Sequence, residues 1–258
     1  LPQQAQAQEP VNYELKLAGM RVSSLNCDDL SSIDGVSGTA KFDPESKTLT
    51  LDNATISTSV IKFPGLENSI KGLTIRLIGD NTITSENYWG LFNNTERSIT
   101  FTGSGKLTVN GSTTAPQTGY RRAIFNWGTI VVDGCTLEAN GGVYGIGSGF
   151  WKFVNCNVRT KGGGGSQSDE YAGSLTWMWD KEPEFVGCKI TSPAGVSWKK
   201  FQNNGYDTYV LVGEDGNAVT DWVEITRDNT GVNVQNTDAA TAKRGIYTLQ
   251  GLRLSGEL

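Results

Sequence analysis

One phrase recurs through the middle of this chain and constrains everything around it. It reads Ile130-x-Val132-Asp133-Gly134-Cys135-x-Leu137-x-Ala139, and returns twenty-one residues later as Trp151-x-Phe153-Val154-Asn155-Cys156-x-Val158-x-Thr160. Apolar residues alternate on either side of a small polar corner, which is the period of a half-buried strand. Asp-Gly and Asn at the corner are residues that tolerate left-handed or turn backbone. The phrase recurs upstream as Leu49-x-Leu51-Asp52-Asn53-Ala54-x-Ile56-x-Thr58 and downstream as Phe185-Val186-Gly187-Cys188-x-Ile190-x-Ser192. Two looser copies lie between, with corners at Gly79-Asp80-Asn81 and Gly103-Ser104-Gly105. A unit repeated at roughly 20–50 residues cannot bury its apolar face alone and must stack on its neighbours.

A second short element precedes four of the six copies: Leu91-Phe92-Asn93-Asn94, Ile124-Phe125-Asn126-Trp127, Gly145-Ile146-Gly147-Ser148 and Thr176-Trp177-Met178-Trp179. Each repeat therefore holds about three short strands. The expectation is an all-β chain: a right-handed single-stranded parallel β-helix of about six coils, with an N-terminal β-hairpin cap. An antiparallel β-sandwich explains the alternation but not the recurring corner. The chain divides into a residual signal or disordered N-terminus (1–11), a β cap (12–48), the parallel β-helix with its closing strands (49–226), and a linker with a sorting-like segment (227–258). The cap is expected because an open solenoid end exposes strand edges and core.

The formal net charge is −5, which opposes nucleic-acid binding, since affinity there rests on a basic face. No apolar run approaches the length of a membrane span. The chain has no histidine. That removes the usual general base, the histidine triads and the commonest zinc ligand, so no metal or cofactor is expected. Ala5-Gln6-Ala7 fits a small-x-small cleavage site, so the protein is expected to be exported, extracellular or on the outer cell surface. Cys135, Cys156 and Cys188 share one position in three coils and are expected as free, buried, stacked thiols. Their Cα spacing is within disulfide reach, but parallel Cβ vectors keep the Cβ atoms too far apart.

The C-terminal run Gly245-Ile246-Tyr247-Thr248-Leu249-Gln250-Gly251-x-Arg253-Leu254 resembles the C-terminal region of secreted Bacteroidetes proteins. The stretch from Tyr13 to Val22 and on from Gly38 to Ala54 is similar to the entry segment of bacterial surface parallel β-helix proteins of the adhesin and carbohydrate-binding type. The resemblance implies fold and export. It carries no catalytic signature over to this chain.

Glycan is the partner the residues themselves favour. Aromatic faces stack on the apolar face of a sugar ring, and this chain has seven Trp. Trp151 shares its position with Ile130 and Leu49 and is assigned to the core. Trp127 and Trp179 fall with Asn94 and Ser148 in one otherwise polar column, which is expected to face outward, with Trp177 beside them. Two loops, Asn110 to Arg122 and Lys161 to Ser174, leave the same edge. Arg121, Asp169 and Tyr171 on these loops are the expected polar contacts. A carbohydrate-active enzyme is the alternative. It would need convergent carboxylates, and the candidates Asp133, Asp169, Glu170, Asp180, Glu182 and Glu184 include no Asp-x-Asp or Asp-Asp pair on a coil strand.

Overall fold

A computed structural model describes residues 9–165 and 169–228. It is all-β. The helical pieces among these residues are two single 3-10 turns, Leu30–Ser32 and Thr118–Tyr120. The C-terminal run that resembles a sorting segment, and the N-terminal cleavage site, lie outside the described residues.

The strands form three parallel stacks. The first contains Thr48–Asp52 of the long strand Thr48–Thr58, then Leu73–Ile78, Ser98–Gly103, Thr129–Asp133, Phe150–Val154 and Glu184–Val186. The second contains Thr55–Thr58 of the same long strand, then Asp80–Ser85, Lys106–Asn110, Thr136–Gly141 and Asn157–Gly162. Because Thr48–Thr58 belongs to both, the two stacks are one continuous sheet. The third holds Leu66–Asn68, Leu91–Asn93, Arg122–Asn126, Tyr144–Gly147 and Leu175–Thr176. Its first member, Leu66–Asn68, is a fifth copy of the element that the sequence reading counted four times.

Pairing is in register down each stack, so like residues fall into columns. Leu49, Ile75, Phe101, Val132, Phe153 and Phe185 form one column of the first stack. The first five are fully buried and Phe185 packs against them. Trp151 is buried two residues along the strand, in the column of Ile130, Ile99 and Leu73 and not, as expected, in that of Leu49, and donates its indole N–H to the Ser148 carbonyl at 2.7 Å. The corner between first and second stacks carries positive φ in every coil: Asn53 (48°), Gly79 (62°), Gly103 (104°), Gly134 (73°), Asn155 (43°) and Gly187 (62°). Left-handed backbone strains residues with a Cβ, and Gly or Asn bear it best. At Gly187 a Cβ would also stand 2.0 Å from Asn155 Oδ1, the side chain of the corner below.

The third stack has an internal polar seam that the sequence reading missed. Asn68 Nδ2 donates to Asn93 Oδ1 at 2.8 Å, and Asn93 Nδ2 donates to Asn126 Oδ1 at 2.8 Å. Asn126 Nδ2 donates to the Gly128 carbonyl. All three Asn are fully buried. Their remaining donors and acceptors are taken by the backbone of the turn into the first stack, such as Ile70 N–H and the Arg97 carbonyl. The amides therefore tie successive coils together at the same bend.

The cap and the far end depart from parallel stacking. Asn12–Leu17 and Met20–Ser23 form an antiparallel hairpin whose first strand pairs antiparallel with Leu66–Asn68. Val36–Asp43 pairs antiparallel with Thr48–Thr58. At the far end the expectation of a sixth coil holds only for the first stack. The strand Cys188–Ser192 does not lie on Asn157–Gly162, because Val223–Arg227 enters between them, antiparallel to both. Apolar Val223 and Ile225 fill that wedge and are fully buried. Of the stretch expected to close the stacks, Ser197–Asn203 and Tyr206–Val212 instead form an antiparallel hairpin with each other. Asn204 and Gly205 both have positive φ there, as a two-residue turn of the Asn-Gly kind requires. Met178–Trp179 pairs with this hairpin as the third strand of a small sheet.

All four cysteines are free and buried. Cys188 Sγ lies 3.4 Å from the Phe153 carbonyl. Burial pushes the Cys135 thiol up to about 11, and it raises Cys156 further, with Cys188 and Cys135 adding to the effect.

Two outcomes follow from this packing. Asn93→Ala cuts the link between Asn68 and Asn126, leaving Asn68 Nδ2 on the Ile70 carbonyl and Asn126 Oδ1 on the Gly128 N–H and taking the Asn93 donor from the Arg97 carbonyl, and is expected to lower stability by about 1–3 kcal/mol in urea denaturation. Replacement of an exposed neighbour, Thr95→Ala, is expected to change it little. For the thiols, a pKa raised in the folded state means the unfolded chain loses its proton first as pH rises. The Cys135 contribution is therefore complete below about pH 9 and is lost between about 9 and about 11. Melting temperature measured across that window should fall less steeply for Cys135→Ala than for the unaltered chain. Equal slopes would show that the thiol does not titrate there.

Candidate functional site

The small three-stranded sheet borders, with Phe150 of the last rungs, an open pocket of about 410 Å³. Its lining is Phe150, Trp179, Asp180, Asn203, Asn204, Tyr206 and Thr208. Each wall has a local cause. Phe150 opens the strand Phe150–Val154, where alternation turns it away from the core side of Trp151. Trp179 ends the short strand paired with Thr208, and its ring meets Phe150 edge to face at 6.2 Å between centroids. Asp180 has positive φ and closes the turn by donating its N–H to the Asp207 carbonyl. Asn203, Asn204 and Tyr206 form the hairpin tip, with Tyr206 70% exposed at the rim. The cavity thus joins three aromatic rings to amide, hydroxyl and carboxylate groups, a composition suited to a ligand with apolar faces and peripheral hydroxyls.

The same hairpin strand builds a second cluster next to it. Lys199, Phe201 and Asn203 alternate onto one face. Asn203 lines the cavity, while Phe201 stacks on Tyr171 at 3.9 Å and meets Trp177 edge-on at 5.2 Å. Lys199 Nζ lies 5.4 Å over the Tyr171 ring. Asp169 is the hub of this cluster. It accepts from the Tyr144 hydroxyl (2.8 Å) and the Trp177 indole N–H (2.9 Å) on Oδ2, and from the Tyr171 N–H (2.9 Å) on Oδ1. Burial is the main cause that pushes the Tyr144 hydroxyl up to about 12, and the bond to Asp169 adds to it.

Arg122 completes the cluster. Its guanidinium carbon stands 3.7 Å from the Tyr144 ring centroid and 4.4 Å from that of Phe125. Its Nε donates to the Gly119 carbonyl at 3.1 Å. Burial lowers its pKa from the ordinary arginine value, opposed by the field of Tyr144 and Asp169.

The expected site residues fall into three groups. Trp179 lines the cavity. Trp177, Tyr171 and Asp169 meet in the neighbouring cluster. Trp127 and Arg121 stand apart from both. Trp127 is 39% exposed and packs edge-on against Phe92 and Phe125 at 5.6 and 5.3 Å. Arg121 turns its Nε to the Ala115 carbonyl within its own loop. The expected shared column of Trp127 and Trp179 is also corrected. Asn126 pairs with Asn93, so Trp127 lies level with Asn94. Phe125 pairs with Gly147, so Ser148 lies level with Asn126 and not with Trp127. Trp179 is carried out of the stack by the left-handed backbone at Trp177, φ 59°.

Phe150, Asn203, Asn204 and Tyr206 were missed from the sequence. The Asn204-Gly205 pair between two alternating runs was the signal that would have found the hairpin tip. Among the described residues no group of three His, Cys, Asp or Glu side chains is placed to hold a metal ion. No described helix is long and apolar enough to cross a membrane. Comparison with family models, curated proteins and solved structures finds no match to this chain.

Removing the hub tests the cluster. Asp169→Ala leaves the Tyr144 hydroxyl and the Trp177 N–H without their acceptor, and is expected to destabilise by about 2–3 kcal/mol. Protease sensitivity of the loop at 161–174 should rise with it. If Asp169→Asn, which keeps an acceptor, behaves like Asp169→Ala, the hydrogen bonds are not what holds the loop.

Proposed function

We propose that this chain is a secreted or cell-surface, non-enzymatic binding protein, adhesin-like, that recognises glycan. The observation that carries the reading is the cavity walled by Phe150, Trp179 and Tyr206 and rimmed by Asn203, Asn204, Thr208 and Asp180. Aromatic faces cover the C–H side of a pyranose ring, while short planar amides and hydroxyls meet its edge. Asp180 is the one carboxylate in this lining among the described residues. A glycosidase works with a pair, so binding without cleavage is favoured over hydrolysis. Export is supported by the Ala5-Gln6-Ala7 cleavage pattern, and surface display by the resemblance of the C-terminal run. The framework we propose is a right-handed single-stranded parallel β-helix. The in-register parallel columns, recurring at 21 residues (Val132 to Phe153) to 32 residues (Phe153 to Phe185), support it.

The test is a glycan array followed by calorimetry on the hits, with Trp179→Ala and Trp127→Ala in parallel. Trp179→Ala is expected to weaken binding about tenfold or more, near the upper end of one aromatic contact. Its melting temperature should stay within a few degrees, because the ring lies outside the core columns. Trp127→Ala is expected to leave affinity unchanged. A hit that ignores Trp179→Ala places the ligand elsewhere, and release of reducing ends from the bound glycan would make the protein an enzyme.

A further inference from the structure

The charged and aromatic groups of the pocket beside the hairpin share one electrical sign. The rings of Phe150 and Trp179 meet at 89° between planes, with centroids 6.2 Å apart, so they stand as two walls of a corner. Tyr206, 70% exposed, is a third ring in the lining. The face of an aromatic ring is its negative side. Asp180 directly follows Trp179 and lines the same space. Its backbone N–H is held by the Asp207 carbonyl. Asn203, Asn204 and Thr208 add neutral oxygens that accept hydrogen bonds.

The lining supplies no positive charge to balance this. It contains no lysine or arginine. Among the described residues the Asp180 carboxylate has no ion-pair partner. The lysines nearby in sequence are engaged elsewhere: Lys181 with Glu184, Lys200 with Asp207, and Lys199 over the Tyr171 ring. A neutral sugar hydroxyl is served by an amide as well as by a carboxylate. A carboxylate set among ring faces with no cation beside it is matched by a ligand that brings the cation. An ammonium donates three hydrogen bonds and accepts none, and the faces of Trp and Tyr attract it. The pocket volume, about 410 Å³, falls within the range of small-molecule sites.

We propose that this pocket is a cation site and that the glycan it takes carries free ammonium groups: an amino sugar without its acetyl group, seated with its nitrogen on Asp180 and against the rings of Trp179 and Tyr206. The proposal rests on the glycan-binding reading for the sugar backbone and on Asp180 and the rings for the charge. A choline-type trimethylammonium shares the cationic chemistry but has no N–H to donate, so Asp180 acts on it through charge alone.

The experiment is calorimetry with a glucosamine hexamer and its N-acetylated form, which keeps the backbone and removes the charge, at a pH that keeps the amines protonated. Choline is the second probe. The main variant is Asp180→Asn. Asp180 has φ 59°, a left-handed conformation that Asn bears as well as Asp, so the charge goes without new backbone strain. Glu182→Gln removes an exposed carboxylate outside the lining and controls for general attraction by a chain of net charge −5. The unaltered chain is expected to bind the charged hexamer about fivefold more tightly than the acetylated one, the share of an exposed cation contact. Raising salt from about 20 to about 200 mM should erode that preference. Asp180→Asn should abolish it, Glu182→Gln should keep it, and Trp179→Ala should weaken both hexamers. No preference in the unaltered chain, preference surviving Asp180→Asn, or binding of neither hexamer nor choline overturns the proposal. Acetylated hexamer bound through Trp179 without preference sinks the cation site and leaves the glycan reading standing. Choline bound in dependence on Asp180 and Trp179, with neither hexamer bound, keeps the cation site and sinks the glycan reading.

Discussion

Everything in the described part of this molecule depends on each repeat turning at the same place as the repeat beneath it. A parallel stack in register has no tolerance for a slipped rung, because a shift of one residue would send an entire apolar column to the solvent side. The turn between first and second stacks is fixed by a single left-handed residue per coil, Asn53, Gly79, Gly103, Gly134, Asn155 and Gly187. The turn from the third stack into the first is fixed by the amides of Asn68, Asn93 and Asn126. One device works through backbone conformation, the other through directional bonding in a dry interior. Between these bends the columns need only be apolar and of roughly matched volume, which is why Leu, Ile, Val and Phe interchange freely along them.

The recurring corner was legible because Asp-Gly, Asn and Gly are chemically conspicuous where two alternating runs meet. The burial of Leu49 through Phe153 could be read directly from that alternation. The amide seam was equally periodic, as Leu66-Glu67-Asn68, Leu91-Phe92-Asn93 and Ile124-Phe125-Asn126. It passed unnoticed because Asn reads first as a loop residue, and because strands of three residues carry too few positions to show a period. The far end was misread for another reason. Nothing local in Trp222-Val223-Glu224-Ile225 says that it runs antiparallel between two strands that would otherwise pair. Partnership of that kind is decided by which edge is open once the coils are built.

The candidate site shows the same division. Trp179 could be singled out as an aromatic beyond the core pattern, and Asp169, Tyr171 and Trp177 as residues of one neighbourhood. Their joint geometry could not be read, since it is imposed by Phe201 from a hairpin some thirty residues on.

The antiparallel wedge at Val223–Arg227 has a consequence for how this architecture can grow. Rungs of equal register are interchangeable modules, and a gene that duplicates one inserts another layer at little cost wherever the layers above and below run the same way. Past Asn157–Gly162 that condition ends, since the next neighbour in the second stack runs backwards. The wedge is a terminator: it fixes the number of layers from one side, and it denies an incoming chain a parallel edge on which to continue the column end to end.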